Sequence, residues 1–194
     1  LSRGLGDVYK RHTQGCEPSR RVMERIPLAK PYWDEECEIA AIDALSSGRW
    51  VKGPQAKQFG EEFAEWCGAI SAVPCQSGSA ALWAAMRILD IGPGDEVIVP
   101  GMTFIATATS VSLVGATPVF ADIEQDYWCI CPDDVEAKIT DRTKAVIGVH
   151  IFGQTFSPRL KEICQRHNIA LVEDAAQAHG ASLDGVKAGA IGDI

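Results

Sequence analysis

Short apolar runs closed by turn residues alternate along this chain with helix-length segments of about ten residues, and that alternation limits the possible folds more than any other feature. Ile70 to Cys75, Glu96 to Pro100, Pro118 to Asp122, Ala145 to Val149 and the run Ile169 to Val172 that leads to Asp174 read as strands. Between them, helical stretches are expected from about Ser79 to Leu89, from Phe104 to Val114, from Pro132 and from Pro158 to His167. Upstream, Asp34 is placed to cap a helix through about Leu45, with Gly48 beyond its end. Pro54 suits the first turn of another, which closes near Cys67-Gly68. Strands joined by helices need crossover connections, so the sheet is expected to be mainly parallel and the class α/β.

Composition narrows the function classes. With 46% hydrophobic and 23% charged residues, the 194-residue chain reads as an ordinary globular protein with one substantial core. A formal net charge of -8 argues against nucleic acid as the main partner. Residues 1–25 depart from that balance, with six Lys/Arg against three acids, and are expected to form a disordered basic leader. Seven cysteines are scattered with no zinc spacing, so they read as reduced thiols in a cytoplasmic protein with no metal site. Val97 to Ala121 carries no charge, yet Pro100-Gly101 and Gly115 break it, so a strand, a buried helix and a second strand explain it better than a membrane span. Gly92-Pro93-Gly94 lies between helix and strand, the wrong order for a dinucleotide fingerprint.

Two places can carry chemistry. In Ser77-Gly78-Ser79-Ala80-Ala81 a strand gives way to a helix with hydroxyls at its mouth, where free N–H groups and the helix dipole attract an anion. An ordinary N-cap accounts for the same residues. Asp174 closes an apolar run and is followed by Ala175-Ala176-Gln177-Ala178-His179-Gly180, small residues that let a planar ligand approach the backbone. Ligands of open parallel sheets bind beyond such strand ends. Read without a family, Asp174 serves equally as a helix cap and Phe104 as a core residue. His150 and His179 read as packing or hydrogen-bonding groups, and Trp50 is left unassigned.

Six segments, in this order, resemble the DegT/DnrJ/EryC1/StrS sugar aminotransferases. They are Ile26-Pro27-Leu28-Ala29-Lys30-Pro31, Ser47-Gly48-Arg49-Trp50 with Gly53-Pro54, Gln76 to Leu82, Gly92 to Val97, Val149 to Gln154 and Glu173 to Gly180. The resemblance runs from about Ile26 to Ile194 and implies the N-terminal part of a three-layer α/β/α pyridoxal 5'-phosphate (PLP) transferase domain, truncated before completion. It implies that Gly78, Ser79 and Ala80 hold the cofactor phosphate, through the backbone N–H groups of Ser79 and Ala80. Phe104 would lie on the pyridine face, Asp174 on the ring nitrogen and Gln177 on the ring hydroxyl. It further implies a nucleotide-sugar acceptor, an amino-acid donor such as glutamate, and a homodimer.

Relatives carry their Schiff-base lysine in a Ser-Phe-x-x-x-Lys pattern shortly after the counterpart of Gly192-Asp193, past the last residue here. Lys187, in a glycine-rich turn, is not a substitute. These 194 residues alone are therefore expected to be inactive and to aggregate or fold partially. The resemblance also leaves room for a sugar 3-dehydratase, with histidine at the lysine position, and for a non-catalytic protein on the same fold.

Overall fold

The computed structural model describes residues 30–194, so the expected basic leader lies outside the described residues. Two compact units divide the chain, one up to Ser46 and one from Ser47 to Ile194. In the first, helix α1 spans Glu35–Ser46. Asp34 caps it as expected: its Oδ1 accepts the Cys37 N–H at 2.9 Å, and its Oδ2 accepts the Tyr32 hydroxyl at 2.6 Å. Glu35, Glu36 and Glu38 fill the first turn, where the helix dipole favours negative charge.

Helix α2 (Pro54–Cys67) opens the second unit with proline at its start, where the missing N–H costs nothing. It ends at Gly68, φ 81°, whose N–H returns to the Ala64 carbonyl at 2.9 Å. No strand forms over 70–75. Ile70 and Val73 are exposed, and nothing among the described residues pairs with this stretch. Strand propensity needs a ladder partner to become a strand, and Pro74 also lacks one donor. The Ala72 carbonyl and the Pro74 ring instead run against Gly60 of α2.

Next come α3 (Gly78–Ile88), β1 (Glu96–Pro100), α4 (Ala106–Leu113), β2 (Thr117–Ala121), α5 (Pro132–Ala137), β3 (Thr143–Val149), α6 (Arg159–His167) and β4 (Ala170–Asp174). The four strands pair in the order β2-β1-β3-β4, every pair parallel. Helices α3 and α4 pack on each other, as do α5 and α6, giving a three-layer α/β/α arrangement about the sheet.

A sheet covered on both faces needs continuously apolar strands, not alternating ones. Strand β1 meets that demand: Val97, Ile98 and Val99 expose none of their surface. Burying such a side chain contributes about 1.5–3 kcal/mol. Strand β2 lies at the edge and tolerates Pro118, which pairs with Val97. On α3, Leu82, Ala85 and Met86 recur at the helical spacing of an inward face. The C-terminal ends of all four strands lie along one edge of the sheet, and the loops that leave that edge build the site.

One close approach inside this core limits substitution. A Cβ at Gly148 of β3 would stand 2.6 Å from Phe156 Cε1 and 3.0 Å from Leu160 Cδ2. Gly148→Ala is expected to destabilise the protein by about 1–3 kcal/mol through overpacking. Urea unfolding measures it; an unchanged midpoint would contradict this packing.

Candidate active site

At helix α3 the sequence feature Ser77-Gly78-Ser79 becomes a built N-terminus. Ser77 has extended backbone (φ -165°, ψ 160°), and its Oγ accepts the Ala80 N–H at 3.2 Å. Of the two N–H groups that the resemblance implies for a phosphate, that of Ala80 is thus engaged by the cap. The N–H groups of Gly78 and Ser79 have no acceptor among the described residues.

Across from it, Asp174 ends β4. Its carbonyl accepts the His150 N–H at 3.0 Å, extending the β3–β4 ladder by one rung. Its Oδ1 accepts the Ala176 N–H at 3.1 Å, leaving Oδ2 for another donor. Gln177 is fixed from the other side. Its Oε1 accepts the Phe152 N–H at 2.9 Å, so its Nε2 is the free end of the amide. Phe152 holds a left-handed conformation (φ 53°, ψ 22°), which costs a non-glycine residue about 1–2 kcal/mol.

These elements enclose a cleft of about 250 Å³ lined by Gly78, Ser79, Thr103, Phe104, Asp174 and Gln177, among others. Five of the six residues singled out from sequence therefore line one cleft; Ala80, the third residue of α3, does not line it. A second, largely apolar recess of about 260 Å³ adjoins it and shares Gly78, Leu82, Asp174 and Ala176. His179 lines that recess, edge-on to Phe63 at 6.0 Å between ring centres. Lys187 lines neither opening. Its Nζ donates to the Trp66 carbonyl and lies 4.1 Å from the centre of the Trp66 ring.

Beneath the site is a group that sequence reasoning missed. The Glu173 side chain is almost fully buried. Its Oε2 accepts His150 Nε2–H at 2.8 Å and the Gly189 N–H at 2.9 Å; its Oε1 accepts the Ile191 N–H at 2.6 Å and the Gly192 N–H at 2.5 Å. His150 Nδ1 accepts the Phe156 N–H at 3.3 Å, and its ring stacks on Phe156 at 4.3 Å. Both ring nitrogens are thus committed, which bears out His150 as a hydrogen-bonding group of the interior. No cluster of three or more metal-ligating side chains occurs among the described residues. The one available signal was a carboxylate placed inside an apolar strand, beside another whose side chain leaves the opposite face.

The sequence profile of the DegT/DnrJ/EryC1/StrS aminotransferase family matches residues 31–194. The chain belongs to this family. L-glutamine:2-deoxy-scyllo-inosose aminotransferase of Streptomyces kanamyceticus is 43% identical over 176 residues, covering 84% of this chain and 41% of that protein. UDP-N-acetyl-3-dehydro-alpha-D-glucosamine 3-aminotransferase of Acidithiobacillus ferrooxidans is 44% identical over 151 residues, 77% of this chain and 41% of that protein. Among solved structures, the Streptococcus pneumoniae protein Spr1654 in its PLP form is 33% identical, covers 88% of this chain and 47% of its own, and superposes with a TM-score of 0.83. The chain spans about two-fifths of the length of these curated relatives. For a member of this DegT/DnrJ/EryC1/StrS family, the donor set of the cleft fits PLP. It offers unengaged N–H groups at a helix mouth for a phosphate, an aromatic wall for a ring, a carboxylate oxygen for a ring nitrogen and an amide N–H for a ring oxygen.

Electrostatics at Glu173 yields a pH dependence. Burial alone would raise its pKa, but hydrogen bonds from His150 and from the Gly192 and Gly189 N–H groups hold it below the ordinary glutamate value. A lowered folded-state pKa contributes stability that is present above the unfolded pKa and lost as pH falls through the folded one. Denaturation midpoints are therefore expected to drop as pH falls below about 4.5, and the drop should be smaller in Glu173→Gln. Parallel acid limbs for the two proteins would refute this contribution.

Proposed function

We propose that this chain forms the cofactor-binding part of a PLP-dependent aminotransferase, which moves the amino group of an amino acid such as glutamate onto the ketone of a nucleotide sugar. The observation that carries this reading is Asp174, whose Oδ1 is tied to the Ala176 N–H while Oδ2 is left to the cleft that Phe104, Gln177 and the mouth of α3 also line.

PLP, when bound, supplies the electron sink that amino-group transfer requires. The residues of this cleft would hold and orient it. Gly78 and Ser79 N–H groups take the phosphate, with Ala80 reinforcing them when its N–H is shared with Ser77. Phe104 covers one face of the ring and excludes water from it. Oδ2 of Asp174 would accept a hydrogen bond from the protonated ring nitrogen and so hold the proton on that nitrogen, a charged hydrogen bond of about 1.5–3 kcal/mol. Gln177 Nε2 donates to the ring hydroxyl oxygen.

The acceptor class is supported by the UDP-sugar relative from A. ferrooxidans. The S. kanamyceticus relative names glutamine and an inosose, so glutamine and a cyclitol ketone are the comparisons to run. A homodimer is supported by apolar side chains left in solvent, among them Ile70, Val73, Ile88 and Leu113. The six described cysteines are unpaired, which supports a reducing, cytoplasmic setting. No helix among the described residues is long and apolar enough to cross a membrane.

In the full-length polypeptide that carries this sequence, Asp174→Ala is expected to lower amino transfer by about ten- to a hundredfold while the far-UV circular dichroism is unchanged. Turnover close to wild type would sink the assignment of Asp174.

A further inference from the structure

Glu173 and Asp174 are consecutive residues of one strand, so their side chains leave opposite faces of the sheet. One is almost fully buried and the other lines the cleft. Any rotation or slide at the end of β4 must move both together. Glu173 is held by four donors, three of them backbone N–H groups of the 189–192 segment and the fourth the ring of His150. That segment is in turn laced to the far side of β4. Asp193 N–H donates to the Leu171 carbonyl at 2.8 Å, and its Oδ2 accepts the Leu171 N–H at 2.9 Å. Glu173 N–H donates to the Ile194 carbonyl at 2.8 Å. Gly192 makes the approach possible, since a Cβ there would stand 2.6 Å from the Leu171 carbonyl oxygen.

We propose that Glu173 is a positioning residue: its buried carboxylate locks the end of β4 between His150 and the 189–192 segment, and so fixes the direction in which Asp174 meets the cofactor. This inference rests on the cofactor reading of the cleft given above. The lock is intolerant of an amide. All four partners are donors, so the NH₂ group introduced by Glu173→Gln would face a donor whichever way the amide turned. Moving the His150 proton to Nδ1 gives no escape, because Nδ1 already accepts the Phe156 N–H.

The test uses pyridoxamine 5'-phosphate, which binds without a covalent bond, and the full-length protein. Glu173→Gln is expected to keep its far-UV circular dichroism and to bind this probe roughly tenfold or more weakly. A second readout needs no substitution. Coupling is reciprocal, so loading the unsubstituted protein with the probe should slow hydrogen exchange at the Gly189, Ile191 and Gly192 amides. Amides of the β1–β2 ladder, remote from Glu173, should slow less. Wild-type affinity in Glu173→Gln, or exchange at those three amides no more affected than in β1–β2, would overturn the proposal while leaving the cofactor reading intact. If the unsubstituted protein does not bind the probe, the cofactor reading falls and this inference with it. Should Glu173→Gln fail to fold, the exchange measurement alone decides.

Discussion

Parallel pairing of β2, β1, β3 and β4 is the constraint on which the rest of this structure depends. Because both faces of such a sheet are covered, polar groups cannot leave it sideways without being buried, and they collect where the strands end. Parallel order then puts all the C-terminal ends on one edge. The 101–106 turn after β1, the 150–154 turn after β3 and the run that follows Asp174 are therefore neighbours, and the mouth of α3 meets them at the cleft, although their sequence positions span about a hundred residues. Site assembly here is a consequence of topology before it is a consequence of any single side chain.

Much of that was legible in the chain. Continuous apolar runs such as Val97-Ile98-Val99 and Leu171-Val172 signal strands covered on both faces, and Asp34, Pro54 and Gly68 are local signals that act within one helical turn. Asp174 was legible as the residue that closes a buried strand, although its Oδ1 also accepts the Ala176 N–H, in keeping with the capping alternative. What escaped was non-local. Ile70 to Cys75 has strand-forming residues, but a strand is made by its neighbour, and none pairs with it among the described residues. Glu173 has the composition of a mere companion to Asp174. Its role depends on backbone N–H groups sixteen to nineteen residues away, and backbone donors leave no trace in residue identity.

Energetically, the buried carboxylate sits on the favourable side of a narrow margin. An ionised group removed from water is strongly destabilising unless hydrogen bonds replace the lost hydration, and four donors at 2.5 to 2.9 Å do so. Such an arrangement is all-or-none, since removal of one partner leaves the others worse off than in an apolar interior. It suits a place where rigidity serves the neighbouring residue more than itself.

The left-handed turn at Phe152 has a consequence of another kind. A glutamine amide can present either its oxygen or its nitrogen to a ligand, and an isolated Gln177 would be free to choose. Here the Phe152 N–H, twenty-five residues away in sequence, claims the oxygen. The cleft therefore meets a hydrogen-bond donor, so electron-rich oxygens are welcomed at that corner and protonated groups are turned away. A peptide bond in a strained turn thus acts as a polarity filter for whatever enters.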